Sequence, residues 1–525
     1  MREPAALPDV GPVFSRVFLH PVNAARYRRV SLAALVFGST LMIGLISLHR
    51  NRQLGAFCGH AGQEFELGIN LVTHRTFGLG LEPTVFKSPG TAFFDALVIR
   101  VLVGLPPAPL RSTEAFSSSS DLFGLVGAGD EYKEQAAHAV YQAQAVILAG
   151  AAAALFLWLS TRLSLFFALL AALLFGWSAY SIILIGLLNY SVLHWFLTIV
   201  SLWILQTAIA QPDSPTRAVW AGVAWGLTTL VRPVTLLLPG VVLFALFAAS
   251  PRRVSRNVRW CALFCLGMAV CVGPWTLRNY RLTGRFIPGS AQVWASLFHA
   301  SSHRYTPSPN EFRYKEFRDW YLQVQSEVAG QELTSQWEPY DVAGNLALED
   351  AYKARVIDEW VNRQRYRGKY FHNALGSSWS FLVDINGRLL GVFQALQAPQ
   401  GHYDQRWFGA GRTPHFPLQA SDEFARMCQI LALLGAAGIV VAIWNKDPFL
   451  VVPGLAFGCF AIAYALTWLE VLYYYIKVPF LFVFAFYFLD CAQRSASRAW
   501  RFLPAFLTMI LAVWTLSLAA RVLWA

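Results

Sequence analysis

Charge is what this sequence has least of: only 14% of its 525 residues are Asp, Glu, Lys or Arg, against about 25% in soluble domains. A soluble domain with a solvated, charged surface is thereby excluded. Disorder is excluded too, because disordered chains combine high charge with low hydrophobicity, and here 56% of the residues are hydrophobic. Cysteine is scarce and unpatterned, with seven residues that form neither a disulfide framework nor a zinc spacing. Cys261, Cys265, Cys271, Cys428, Cys459 and Cys491 lie in or beside apolar segments and Cys58 in a polar loop, which predicts small buried hydrophobes for most of them rather than redox groups. No His/Cys/Asp/Glu cluster has a metal-ligand spacing. No cofactor is identified, therefore, and a divalent metal is not indicated. Internal repeats are also absent.

What the sequence has instead is long apolar runs. The first, from about Val30 to Leu48, follows Arg26, Arg28 and Arg29 and is too long for the core of a cleaved signal, so it reads as a retained anchor. Others cover roughly 138–159, 163–182, 191–210, 217–231, 234–250, 258–275, 427–444, 448–467, 471–491 and 503–523. The expected fold is an all-α polytopic membrane protein with about 11 transmembrane helices, in a range of about 9 to 13.

The net charge of +12 then reads as topology. With the N-terminus cytoplasmic, the short inside loops hold Arg26/Arg28/Arg29, Arg162, Arg217, Arg252/Arg253/Arg256/Arg259, Lys446 and Arg494/Arg498/Arg501, as the positive-inside rule requires. Nucleic-acid binding would need these cations on one solvated, aromatic-interleaved face, and they are not so placed. The expected organisation is a cytoplasmic segment 1–29, a first span 30–49, a first outer loop 50–137, a helix bundle 138–276, an outer-face insert 277–426 and C-terminal spans 427–525. Within the insert, Asp341 to Phe371 reads as a helix ending in Arg363, Arg365, Arg367 and Lys369. Either a membrane-surface helix or a solvated charged face fits that pattern.

Polar residues gather at the outward ends of the spans. Arg232 stands just before Pro233, where an arginine either snorkels or recognises a phosphate. Arg278, Arg281 and Arg285 emerge on the same side. In the first outer loop, Glu64 and Glu66 are candidate general bases, and Lys87, before a Ser-Pro-Gly turn, is a candidate phosphate contact.

Two stretches resemble the GT-C superfamily of membrane glycosyltransferases, in particular its protein O-mannosyltransferase and aminoarabinose transferase branch: Gly-Leu-x-x-Leu-x-Arg-Pro at Gly226 to Pro233, and Pro-Trp-Thr-x-Arg-Asn-Tyr-x-x-x-Gly-x-Phe-x-Pro-x-Ser at Pro274 to Ser290. Phe86-Lys-Ser-Pro-Gly and Tyr475-Ile-Lys-Val-Pro479 look like two further family segments. The resemblance implies inverting transfer of a sugar from a polyprenyl-phosphate donor to an acceptor hydroxyl at the outer face of a bacterial inner membrane. It implies an acidic base in the first outer loop, with Lys87, Arg232 and Arg278 on the donor phosphate. The register of the acid stays open: Glu64 is favoured, then Glu66, then His60, because the family uses a carboxylate. Where the family has another acidic residue after the third span, this chain has Asn189, Tyr190 and His194. These, with Asn279, Ser290 and Lys477, are possible substrate contacts. The expected partners are the lipid-linked donor and the bilayer, with no nucleic acid. The sugar and the acceptor are not legible. The alternatives are a transporter or lipid flippase, and a catalytically altered GT-C-like scaffold. Transport is disfavoured because the polar residues cluster at one membrane face and repeats are lacking.

Overall fold

The computed structural model describes residues 21–50, 60–78, 82–106, 131–186, 188–211, 213–249, 253–301, 322–333, 341–362, 418–445, 447–466, 475–495 and 502–524. Every regular element among them is helical. In chain order they are α1 (Pro21–Arg50), α2 (His60–Thr73), α3 (Pro89–Leu102), α4 (Glu131–Leu159), α5 (Leu165–Trp177), α6 (Ala179–Ile185), α7 (Ser191–Ile209), α8 (Pro215–Val231), α9 (Leu238–Ala249), α10 (Val254–Thr283), α11 (Val293–Ser301), α12 (Val342–Asn362), α13 (Leu418–Trp444), α14 (Pro448–Leu466), α15 (Lys477–Ser495) and α16 (Phe502–Trp524).

Among the described residues five stretches are long and apolar enough to cross a membrane: Arg26–His49, Glu131–Leu159, Ser191–Ile209, Val254–Thr283 and Leu503–Ala520. Several helices, among these and beside them, present apolar side chains outward. Leu35 and Met42 on α1, Leu266 and Val270 on α10, Leu433 and Val440 on α13, and Phe506 and Val513 on α16 are all exposed. Patches of this kind on so many helices are incompatible with a water-facing surface and fit lipid contact. The chain is a multi-pass membrane protein.

Some span boundaries differ from those expected from hydropathy. The run 163–182 is broken at Ser178, whose backbone is extended; its hydroxyl accepts from the Ser181 N–H at 3.2 Å and starts α6 afresh. The run from 234 opens as a 3-10 turn, Pro233–Leu237, because proline cannot continue α8. Helix α10 runs past its expected end at 275 in spite of Pro274, to a left-handed cap at Gly284 with φ 68°. Its 30 residues measure about 45 Å, longer than the ~30 Å hydrocarbon core, so part of the helix reaches past that core.

Helix pairing uses small residues. At the α8–α10 crossing a Cβ on Gly222 would fall 2.0 Å from the Phe264 carbonyl oxygen, and one on Gly267 2.1 Å from that of Val219. The backbones touch there, as in other membrane helix pairs. Of the five described cysteines Cys261 is buried, Cys271, Cys459 and Cys491 are half-buried and Cys265 is exposed. The expectation of buried packing is therefore corrected: in a membrane an apolar thiol can face lipid at no hydrophobic cost.

Helices α11 and α12 and the segment 322–333 share a small core of Ala295, Phe298, Val324, Leu348, Tyr352 and Val356. It is fastened to the segment that leads into α3 by Asn345, whose Oδ1 accepts from the Thr84 hydroxyl at 2.6 Å and from the Val85 N–H at 3.3 Å. Arg285 adds a two-pronged pair to Asp350 at 2.7 and 2.8 Å. Glu349 accepts from the N–H groups of Trp294 and Ala295, at the start of α11. Burial, outweighing those bonds, raises its pKa to about 7. A carboxyl with a raised pKa binds its proton more tightly folded than unfolded. The α11–α12 unit is thus expected to lose stability as pH rises from the ordinary carboxylate value through about 7. Hydrogen exchange in α11 that quickens over this window, and no longer does so in Glu349→Gln, is the check. The charged end 363–371 lies outside the described residues.

Candidate functional site

Helices α2 and α3 pack side by side above the bundle, and the turn between them carries the site. Asn70 closes the end of α2 by donating to the Gly78 carbonyl at 2.6 Å, and the Thr84 N–H returns to the Phe77 carbonyl at 2.8 Å. Lys87 and Ser88 then lead into Pro89 at the first turn of α3, where a missing N–H costs nothing. Gly90 touches the end of α8: a Cβ on it would lie 2.6 Å from the Val231 backbone nitrogen. That contact sets the Lys87 turn beside Arg232, the next residue in the chain. Gly90→Val is expected to push the two apart and to cost about 100-fold in turnover, the usual penalty for misplacing a site by an ångström. Turnover and thermal midpoint measured together check this, since the fold should persist.

Glu64 is buried on α2, with its Oε2 unpartnered among the described residues. Burial raises its carboxyl above the usual 4.5, opposed by the nearby charges of Arg232 and Lys87. Lys87 is itself buried, with its Nζ 5.4 Å from the Phe86 ring. The Arg232 guanidinium lies 3.9 Å from the Tyr190 ring centroid and donates to the Tyr190 hydroxyl at 2.7 Å. Tyr190 packs at 5.7 Å on Tyr475, whose hydroxyl meets His194 Nδ1. The other ring nitrogen of His194, Nε2, is buried without a partner among the described residues. Lys477, two residues beyond Tyr475, is fully buried. The outcome is a buried carboxyl, one oxygen of which has no partner among the described residues, under the charges of two cations, with a group of aromatic rings in edge-to-face contact beside Arg232.

The remaining sequence-predicted residues lie otherwise. Glu66 is occupied by Lys133 of α4, whose Nζ is 3.3 and 3.4 Å from its two oxygens. Two positions along a helix turn a side chain about 200° away, so Glu66 looks to α4 where Glu64 looks to α3 and Arg232. His60 opens α2, and its side chain lies outside the described residues. Arg278, expected on the phosphate, instead donates to the carbonyls of Thr84 at 2.8 Å and Phe77 at 3.3 Å and stacks 4.4 Å from the Trp275 ring. It clamps the turn that presents Lys87. Asn279 accepts from Arg278 and donates to the Ile287 carbonyl. Asn189 caps the start of α7 through the Ser191 N–H. Ser290 is half-buried, next to Ala291, whose N–H donates to Val85. Sequence reading missed Tyr475 and the buried Asp95 of α3. The signal for Asp95 was one acid inside the apolar run Phe93-Phe-Asp-Ala-Leu-Val98.

A groove of about 390 Å³ lies beside this turn, lined by Leu71, Phe77, Phe93, Leu230 and Trp275 with Arg75 and Arg278 among the others. Among the described residues no group of His, Cys, Asp and Glu could hold a metal ion.

No protein-family model matches the chain, and no curated protein does. Among solved structures it is similar to the oligosaccharyltransferase of Archaeoglobus fulgidus, crystallised with zinc and sulfate, at a TM-score of 0.48 and 12% identity over 92% of this chain and 52% of that one. It is also similar to the same organism's AglB in complex with an inhibitory peptide and a dolichol-phosphate, at 0.48 and 12%, over 95% and 56%. ArnT from Cupriavidus metallidurans bound to undecaprenyl phosphate matches at 0.35 and 13%, over 88% and 79%. The chain thus spans about half the length of the archaeal proteins it matches. At these scores the likenesses carry no weight for function, which rests on the site.

Proposed function

We propose that the chain is an integral membrane glycosyltransferase that moves a sugar from a polyprenyl-phosphate donor to an acceptor hydroxyl at the outer face of a bacterial inner membrane. The observation that carries the reading is the buried Glu64 carboxyl, whose Oε2 has no partner among the described residues and on which the charges of Arg232 and Lys87 act. A buried charge is kept unpaired only at a cost, and groups arranged to shift pKa cluster at functional sites. The segments at Gly226 to Pro233 and Pro274 to Ser290 that resemble GT-C enzymes support it. So does the apolar groove beside the Lys87 turn, which suits a polyprenyl chain.

The acceptor hydroxyl gives its proton to the Glu64 carboxylate as its oxygen bonds to the anomeric carbon. The bond from that carbon to the phosphate oxygen breaks on the opposite face, so the configuration inverts. Polyprenyl phosphate leaves with the electron pair, and Lys87 and Arg232 stabilise the charge that gathers on it. Fixed cations in a water-poor site are suited to this, because they need no reorganisation as the charge develops. The Tyr190–Tyr475–His194 group, whose rings meet edge to face, provides aromatic surface and a ring nitrogen for the sugar. Arg278 holds the turn rather than the phosphate.

The basic loops agree with an outward-facing site. Arg494 donates to the Arg162 carbonyl and Arg256 pairs with Asp213, so loops read as cytoplasmic meet in pairs, which supports the reading. Purified protein given radiolabelled lipid-linked sugars and candidate acceptors tests the proposal. Label transferred to an acceptor supports it, whereas donor crossing between leaflets without transfer identifies a flippase.

A further inference from the structure

Asp95 is a buried carboxyl that the reaction above does not use. It faces α2 where the two helices come closest: a Cβ on Gly68 would lie 2.8 Å from the Asp95 Cβ. Gly68 follows Glu64 by one turn of α2, and Thr91 precedes Asp95 by one turn of α3. Both acids therefore lie in one dry seam, where two carboxylates repel each other strongly. The surrounding charges are unevenly shared. Arg232, from the end of α8, and Lys87, from the turn, act on Glu64, while Lys133 of α4 is held by Glu66. The charge acting on Asp95 is that of Glu64.

We propose that Asp95 is a positioning residue that holds the one proton shared by the Glu64–Asp95 pair, so that a neutral acid stands beside Glu64 and keeps it ionised as the base. Burial, and then the charge of Glu64, pushes the Asp95 carboxyl well above the usual carboxylate range, in keeping with this. During transfer Asp95 keeps its proton and Glu64 takes the acceptor's; one proton returns to water after the products leave. The inference rests on Glu64 being the base.

Infrared spectra of the wild type, Asp95→Asn, Asp95→Leu and Glu64→Gln in lipid nanodiscs, with pH profiles of transfer on the same preparations, test it. All spectra are recorded in a Glu349→Gln background, because Glu349 is itself partly protonated near neutral pH; there the otherwise unaltered protein should show the carbonyl band of a protonated carboxyl at neutral pH, lost in Asp95→Asn and kept in Glu64→Gln. Asp95→Asn should retain most transfer and lose the alkaline limb of the profile. Asp95→Leu, which removes the polar group at similar volume, should raise the acid limb by about a unit and lower neutral kcat by about tenfold with KM unchanged. A band that persists in Asp95→Asn places the proton elsewhere and overturns the proposal. Equal losses in both Asp95 variants with an unaltered pH profile reduce Asp95 to a packing role and also overturn it. Full transfer by Glu64→Gln, with the band still on Asp95, overturns it instead through the base reading, so the two failures are distinct.

Discussion

Glu64→Gln is expected to lower kcat for sugar transfer by about 100-fold to 10,000-fold, the range set by losing a general base, while the folded protein becomes at least as stable as the wild type. The second half is the sharper test. Glutamine keeps the volume and removes a buried charge whose Oε2 has no partner among the described residues, so a desolvation cost disappears on substitution. Gains in stability with loss of activity mark a residue held for chemistry. Glu66→Gln should do the reverse. It removes the charge that pairs with the buried Lys133, and breaking a buried pair costs about 3–5 kcal/mol, with little effect on turnover in the molecules that remain folded. Because burial raises the Glu64 carboxyl above 4.5, the acid limb of the wild-type profile should lie above that value. Activity is then lost as pH falls through the elevated pKa. Melting temperatures and kcat against pH for the two variants are the measurements.

The second large effect belongs to the cations. Arg232→Ala and Lys87→Ala should each reduce transfer by about 100-fold or more, the usual cost of one contact to charge developing in the transition state. They should also move the acid limb upward, because both charges favour ionised Glu64. The shift should be larger for Arg232, which acts on Glu64 more strongly than Lys87 does. Arg232→Lys is not expected to rescue, since an ammonium cannot reproduce a planar guanidinium stacked 3.9 Å from the Tyr190 ring while also bonding its hydroxyl. Arg278→Ala should differ in kind. With its guanidinium on the Thr84 and Phe77 carbonyls, its loss should loosen the 77–84 turn and raise hydrogen exchange there, with the acid limb unmoved. Exchange and pH profiles on the same variants separate a clamp from a phosphate ligand.

Apolar run length was enough to recover the all-α, multi-pass architecture, because membrane spans are written in composition. Hydropathy was blind to the breaks at Ser178 and Pro233, which depend on one hydroxyl and one missing N–H. The site was half legible. Lys87 and Arg232 stood out as cations beside Pro-containing turns, but nothing local revealed that Gly90 presses one against the other. The choice between Glu64 and Glu66 was open in the sequence because both lie on α2, and the Lys133 that occupies Glu66 is 67 residues away. Arg278 was read as a ligand because its motif is distinctive; what the structure adds is that the motif also builds a clamp, in which Trp275 donates to the Gly289 carbonyl, Asn279 to that of Ile287 and Arg278 to those of Thr84 and Phe77. Asp95 was missed, its one signal being a lone acid in an apolar run. Tyr475 was quoted only as part of a segment, since ring stacking on Tyr190 leaves no sequence signal.

A structure of the protein with bound polyprenyl phosphate tests the central claim most directly. The account predicts the phosphate between Lys87 Nζ and the Arg232 guanidinium, the chain in the groove lined by Phe77, Phe93 and Trp275, and the Glu64 carboxyl facing the side from which an acceptor would arrive. A phosphate held away from both cations, or a Glu64 closed off from it by protein, would contradict the account.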